Sequence, residues 1–465
     1  MSVIEGLLIF FTILLLYFII VFTLHKRGIL EKHNISLYGP ALLIRTKKGL
    51  NFLKKIASKR RFWKAYGSFG VVFCIIFMVF MVLVLVWQAW AVLGFTPAQR
   101  EALPGPEMAL VLPGINPILP LEYLGYILFA LIVAVVVHEF SHGILVFVGK
   151  LKVKSLGILY LIVPIGAFCE PDEEELKKAE TKKRMRVYAA GPLSNFVVAL
   201  VCILLFSFVF MSAVQPVQSV EDGMVVLKVY DNSPADKAGI GTGAVILSIN
   251  GTNFSDFNTF DERVTKYIEI MNKTSANDTI TITYSYDSSL PIIKEITLDD
   301  RYNYTRNASY MGKGHPGIYS FINMTGDLKI LQNPLFEKFP YGFLFFYVLP
   351  LTGYFQGYNP IVSPFTDLFK ITGPLSVLPP VVFWMIINAL YWIFWLNLAV
   401  GLFNVLPMVP LDGGFLFNDS VGLSLKRIKK NISEERKEKI VKNVSTVISL
   451  LILLAIIFPF IIKYI

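Results

Sequence analysis

His138-Glu139-Phe140-Ser141-His142 puts two imidazoles and a carboxylate within five residues, directly after the apolar run Ala130-Leu-Ile-Val-Ala-Val-Val-Val137. Residues four apart share one face of a helix, so His138 and His142 can reach one metal ion, with Glu139 beside it to act on a bound water. A single histidine in such a run is most simply a polar residue satisfied by a neighbouring helix. Three ionisable groups together resist that explanation, because a charged side chain at mid-membrane costs at least about 2.5–3.5 kcal/mol. Zinc in a catalytic site takes three protein ligands and keeps a fourth position open. His25 and His33 lie in a basic loop and His315 lies in a distant polar segment, which leaves the carboxylates. Asp412, in Asn404-Val-Leu-Pro407-Met-Val-Pro410-Leu-Asp412-Gly-Gly414, is the best placed of them. The competing reading is a proline–glycine turn with Asp412 capping a helix. Glu170 reads as a carboxylate at the end of a hairpin rather than as a ligand.

The elements that must hold these residues are membrane helices. The chain has 465 residues, of which 55% are hydrophobic and 16% charged, with a mean hydropathy of +0.60. A soluble globular chain is about 25% charged. This composition excludes a disordered chain, a coiled coil and an ordinary soluble enzyme. Three cysteines without metal-ligand spacing exclude a disulfide framework and argue against a cysteine zinc site. The net charge of +10 does not signal nucleic acid, because the positive residues are concentrated in short loops beside apolar segments. Six stretches are long enough to span at about 20 residues each: 3–24, 68–94, 121–148, 187–213, 379–403 and 444–465. A helix from 379 through 414 would be about 54 Å long, too long for a bilayer, so Pro407 and Pro410 break it before Asp412.

Charge fixes the expected topology. Residues 25–64 carry twelve Lys/Arg against one acid, 150–186 carry nine Lys/Arg and 415–442 carry eight, and pairs of spans separate these loops. One orientation places all three in the cytoplasm, with the long segment 214–378 outside and the histidines and Asp412 both towards the cytoplasmic side. Within that segment 214–338 has eleven Lys/Arg and fifteen Asp/Glu, which suits an external location. It reads as a small α/β domain: a strand at 224–229, a helix opening at Pro234, a strand at 245–250 closed by the Asn250-Gly251 turn, a helix at 256–270, and strands at 279–286 and 292–298. Its string S-P-A-D-K-A-G-I…G-A-V-I-L-S-I-N-G, ending at Gly251, resembles the PDZ domains of bacterial and archaeal proteases. That resemblance implies capture of an extended peptide at a sheet edge; a spacer role is the alternative. Residues 155–169, with Gly157, Pro164 and Gly166, read as a re-entrant hairpin, and 339–354, with Pro340 and Pro350, as an interfacial element.

H-E-F-S-H-G in one span and N-x-x-P-x-x-P-L-D-G-G in a later one resemble the site-2 proteases, zinc metalloproteases that cut within the membrane. The likeness continues in Gly166-Ala-Phe-Cys-Glu-Pro171 and Ala190-Gly-Pro-Leu-Ser-Asn195, with Cys169 where the family pattern has a small apolar residue. It implies one zinc per chain held by His138, His142 and Asp412, and Glu139 as catalytic base. It further implies Asn195 as an oxyanion donor, and substrate backbone bound near Asn404 and Gly166. The substrate it implies is a spanning helix of another membrane protein made locally extended, within the lipid bilayer of an archaeal or bacterial cell. The expected architecture is a polytopic α-helical membrane protein of about six spans with an inserted extracytoplasmic α/β PDZ domain. Two N-terminal spans occupy 1–119, the first half of the protease core 120–215, the PDZ-containing domain 216–335, an interfacial segment 336–378, the second half of the core 379–443 and a last span 444–465. A catalytically silent zinc-containing PDZ scaffold or receptor, and a transporter with an intramembrane His/Glu site, are the alternatives. The retained Glu139 argues against the first, and the lack of internal repeats against the second.

Overall fold

The computed structural model describes residues 3–39, 41–103, 105–109, 114–161, 163–286 and 290–464. Among the described residues, five helices are long and apolar enough to cross a membrane: Arg60–Leu93, Leu121–Val148, Thr181–Ala213, Pro380–Asn404 and Glu434–Ile462. The sixth expected span, 3–24, is helical over Val3–Lys26, but its apolar stretch among the described side chains is only Leu14–Lys26. Five spans therefore stand on the described residues, and the rest of the apolar run of 3–24 lies outside the described side chains. The chain divides into two compact units, one of 1–116, 121–201 and 392–465 and the other of 117–120 and 202–391.

The first unit carries the HEFSH motif. Its helix, Leu124–Val148, buries Ile144, Leu145, Val146 and Val148 against Leu53, Leu156, Cys169, Val187 and Ala190. The long helix Arg60–Leu93 approaches closely through glycines. A Cβ on Gly67 would lie 2.8 Å from Leu145 and one on Gly70 would lie 3.0 Å from Leu193. Phe73 and Phe77 then pack on Phe196, with ring centroids 5.0 and 4.8 Å apart. The outer face of Arg60–Leu93 exposes Phe69, Val72, Ile76 and Leu83, as a lipid-facing helix requires.

The expected hairpin is present and larger than the sequence suggests. Strands β1 (Ile35–Tyr38), β2 (Ala41–Thr46), β3 (Val153–Leu161) and β4 (Val163–Pro171) form one antiparallel sheet in that order. Loop 25–64 is thus not merely a basic connection: β2 pairs with β3 from Leu42↔Tyr160 to Thr46↔Leu156. The far edge of β3 is filled, and β4 is left as an edge strand.

The second unit contains the inserted α/β domain. Its sheet runs Ile292–Thr297, Thr279–Ser285, Val245–Ile249, Met224–Val229, Ile318–Ile322 in spatial order, all antiparallel. Helix Phe260–Asn272, opened by a Thr259/Glu262 capping box, adds Tyr267 and Met271 to a core of Met224, Val226, Ile246, Phe254 and Ile282. Asn250 (φ 48°) and Gly251 (φ 78°) make the expected tight turn, since both positions need the left-handed region. The segment read as interfacial forms two helices, Tyr341–Tyr347 and Leu349–Gln356, too short to span.

Candidate active site

Each candidate side chain in the first unit is placed by a local feature of the sequence. His138 and His142 share one face of Leu124–Val148, with ring centroids 4.8 Å apart. Asp412 opens helix Asp412–Ile428, after Pro380–Asn404 has ended and a short loop has turned the chain. Gly413 and Gly414 make that turn possible. A Cβ on Gly413 would meet the Val405 carbonyl oxygen at 2.3 Å, and one on Gly414 would meet Met408 backbone at 2.6 Å. The Asp412 helix is clamped to Thr181–Leu204 by Arg184 Nε donating to Asp419 Oδ2 (3.1 Å) and by Tyr188 stacked on Phe415.

Asp412 Oδ2 lies 3.0 Å from His138 Nε2 and 3.2 Å from His142 Nε2. The outer ring nitrogens decide what that closeness means. His142 Nδ1 faces the Val187 carbonyl at 2.8 Å, and a carbonyl only accepts, so the proton is on Nδ1. His138 Nδ1 faces Asn195 Oδ1 at 2.6 Å, while Asn195 Nδ2 donates to Ala134 O (3.0 Å) and Asn397 Oδ1 (2.9 Å). The amide orientation is set by those two acceptors, so His138 also carries its proton on Nδ1. Both Nε2 atoms then present lone pairs to a carboxylate oxygen that is itself buried without a hydrogen-bond donor. A proton on one Nε2 would relieve only half of this arrangement. Protons on both would bring two imidazolium rings together with centroids 4.8 Å apart, a like-charge contact inside the protein.

A metal cation relieves all three atoms at once. Donors at about 2.0–2.2 Å around a tetrahedral zinc would stand about 3.3–3.6 Å apart, a little wider than the 3.0 and 3.2 Å from Asp412 Oδ2 to the two Nε2 atoms. The space between the donors is kept open by Gly191, where a Cβ would stand 2.5 Å from His142 Nε2 and 2.6 Å from His138 Nε2. Glu139 lies in the same group, its ligand oxygen within 4.8 Å of both histidines. It is the looser donor, because its Oε2 accepts the Cys169 backbone N–H of β4 at 2.9 Å.

The chain as a whole has counterparts among known sequences. The profile of peptidase family M50, the site-2 protease family, matches residues 126–452. The chain belongs to peptidase family M50. It is 26% identical over 430 residues to an uncharacterized protein of Methanocaldococcus jannaschii, covering 91% of this chain and 87% of that one. It is 24% identical over 318 residues to a Clostridium acetobutylicum protein provisionally named a zinc metalloprotease, covering 61% of this chain and 82% of the relative. Proteins of family M50 are membrane metalloproteases that use zinc, which agrees with the five apolar helices and the His138–Glu139–His142 group.

The other sequence-derived residues fall less simply within this M50 chain. Asn195 is fully buried and both its amide hydrogens are spent on Ala134 and Asn397, so it has no donor left for an oxyanion. Its oxygen holds the outer face of His138 instead. Asn404 is half-buried at the end of its helix and donates to Val400 O at 3.1 Å. Gly166 lies in β4 opposite Leu159. Glu170 is tied to Ser155 and Arg45, which hold its carboxyl below its ordinary range. Sequence reading passed over Gly191 and Asn397. Asn397 carried a usable signal: it is an amide in the apolar run Trp395-Leu-Asn-Leu-Ala399, and polar groups there seek partners.

Proposed function

We propose that this M50 protein is a zinc-dependent intramembrane endopeptidase that cuts a transmembrane segment of another membrane protein, with the metal held by His138 Nε2, His142 Nε2 and Asp412 Oδ2. The observation that carries this reading is the convergence of three lone pairs on one point, with both Nδ1 protons already committed. The ion would supply Lewis acidity towards the scissile carbonyl and towards a water that must lose a proton near neutral pH. Glu139 is the group that takes that proton and returns it to the leaving amine. The Cys169 N–H fixes one of its carboxylate oxygens and leaves Oε1 without a partner among the described residues.

The substrate must be extended, since a helical peptide bond is hidden within its own hydrogen bonds. Edge strand β4 is the proposed template. Cys169 points its N–H away from β3, and by antiparallel alternation so does Ala167, two residues earlier. A segment added along Gly166–Cys169 would pass beside Glu139. The side-chain oxygen and second amide hydrogen of Asn404, unpartnered among the described residues, are the proposed contact on the Pro380–Asn404 side. The loop charges support a cytoplasmic placement of 25–64, 150–186 and 415–442, with the inserted domain outside. The motif from Asn232 to Gly251 supports a PDZ identity for the domain within 216–335, either as a filter against bulky external parts or as a receptor for a new C-terminus. The test is cleavage of a purified single-span substrate in detergent or nanodiscs. Wild type should cut it, chelation should abolish the cut and Glu139→Ala should be inert while retaining zinc. Cutting by folded Glu139→Ala would refute the assignment.

A further inference from the structure

Beside the Asp412 helix lies a cavity of about 820 Å³, bounded by the start of Thr181–Leu204, by Asp412–Ile428 and by the polar first half of Glu434–Ile462. Six cationic side chains face it against three carboxylates. Arg184 is paired with Asp419, and both Lys426 and Lys437 with Glu434. The remaining cations are less committed. Lys177 and Lys178 reach only exposed acids of their own short helix, at 3.4 and 3.7 Å, and Lys442 has no carboxylate partner among the described residues. Asn418 supplies the second element. Its side-chain amide lines the cavity with a buried oxygen, and it makes no hydrogen bond among the described residues. The third element is apolar: Val441 and Leu450 form the wall, and the exposed Leu450 continues into the exposed Leu451 and Leu454 of the same helix.

Surplus positive charge, an unpartnered amide and an apolar exit along a spanning helix match one kind of ligand. We propose that this cavity binds the phosphate head group of an anionic membrane lipid, with an acyl chain lying along the Leu450 face. The uncommitted lysines are exposed at the mouth of the cavity, at the charged ends of two spanning helices, where a lipid head group would lie. The uncommitted lysines answer the phosphate charge, and the Asn418 amide offers a donor and an acceptor to the rest of the head group. The occupant would also border the chain that leads to Asp412, since Val409 and Ser449 both line the cavity and the Val409 N–H donates to Ser449 Oγ at 3.2 Å. This assignment does not depend on the proteolytic reading.

The full chain, reconstituted in phosphatidylcholine nanodiscs with or without phosphatidylglycerol, provides the test by native mass spectrometry of retained lipid. Wild type should keep phosphatidylglycerol in preference to phosphatidylcholine. A lysine near an anionic head group contributes about fivefold in binding, so Lys177→Ala/Lys178→Ala/Lys442→Ala should weaken retention on the order of a hundredfold. The matching triple arginine variant should restore it, which separates charge from folding defects, and Asn418→Leu should weaken it alone. Equal retention of the two lipids by wild type, or no difference between the alanine and arginine variants, overturns the proposal. A parallel arm offers inorganic pyrophosphate to protein in neutral discs. If that raises Tm as much as phosphatidylglycerol does, the ligand is a soluble anion and the lipid assignment falls.

Discussion

Gly191→Ala should remove metal binding while leaving the fold intact. The added Cβ would stand 2.5 Å from His142 Nε2, 2.6 Å from His138 Nε2 and 2.7 Å from His138 Cε1. Ordinary contact begins near 3.4 Å, so each ring must retreat by about 0.8–0.9 Å. Neither ring can do so freely, because the Asn195 and Val187 oxygens hold their outer nitrogens. A zinc site tolerates about 0.2 Å of error in ligand distance. Loss of an outer partner of a metal ligand typically costs 10–100-fold in affinity, and a methyl group in the ion's own space should cost at least the upper figure, about 100-fold. At a zinc concentration well above the wild-type Kd, that removes about 2.7 kcal/mol of zinc-dependent stability. The metal-free protein bears the same displacement of the rings, offset in part by alanine's advantage over glycine in a helix of up to about 1 kcal/mol, so its Tm in chelator should fall less than its Tm in zinc. The assay is chelator competition for affinity, with melting curves in chelator and in zinc. Wild-type zinc affinity in folded Gly191→Ala would refute the shared donor space.

Asn397→Leu should leave Asn195 short of one acceptor and weaken zinc binding about 10–100-fold, read by the same competition, with Asn397→Asp retaining more of it. Ala167→Pro should raise KM with little change in kcat, because proline removes an outward-facing N–H from an edge strand without breaking the β3 ladder. His315, in the inserted domain, is held down to about 4 by burial first and the Arg301 charge second, and its Nδ1 accepts the Gly317 N–H and so must stay unprotonated. Its contribution to stability is therefore fully present above the unfolded value near 6.5 and is lost as pH falls towards 4, by about 3 kcal/mol in all. Melting of wild type against His315→Gln between pH 7 and pH 4.5 should show a shallower fall in the variant. Single cysteines at Ser58, Thr181 and Ser275 should label with the first two on one side of the membrane and Ser275 on the other.

The proposed metal-binding group rests on a local signal in the sequence. Two histidines at helical spacing and a carboxylate behind a proline-broken helix need only the α-helical period and the length of a bilayer to be brought together. Four strands of the inserted sheet were legible for a similar reason, helped by turns such as Asn250-Gly251 whose chemistry can be read in place; the fifth, Ile318–Ile322, was not, because its place is fixed by long-range pairing with Met224–Val229. What escaped was fixed by long-range packing. Nothing in residues 25–64 announces that Ala41–Thr46 will pair with a hairpin more than 100 residues later. That pairing decides which edge of the hairpin stays open. The role of Asn195 depends on Asn397, 202 residues away, which takes up the amide hydrogen that an oxyanion would have needed. Gly191 stands in the sequence only as part of the Ala190–Asn195 motif, and the approach of both Nε2 atoms reveals why a side chain is excluded there.

Zinc K-edge X-ray absorption on the purified chain, with total zinc measured in parallel, tests the central claim most directly. The expected result is about one zinc per chain in a shell of nitrogen and oxygen donors at about 2.0–2.2 Å, with two imidazoles and no sulfur. Asp412→Ala should lower the affinity and change the oxygen part of the shell, and His138→Ala/His142→Ala should lose the metal. Full zinc retention in the folded double histidine variant, or a sulfur shell from any of the three cysteines, would contradict it.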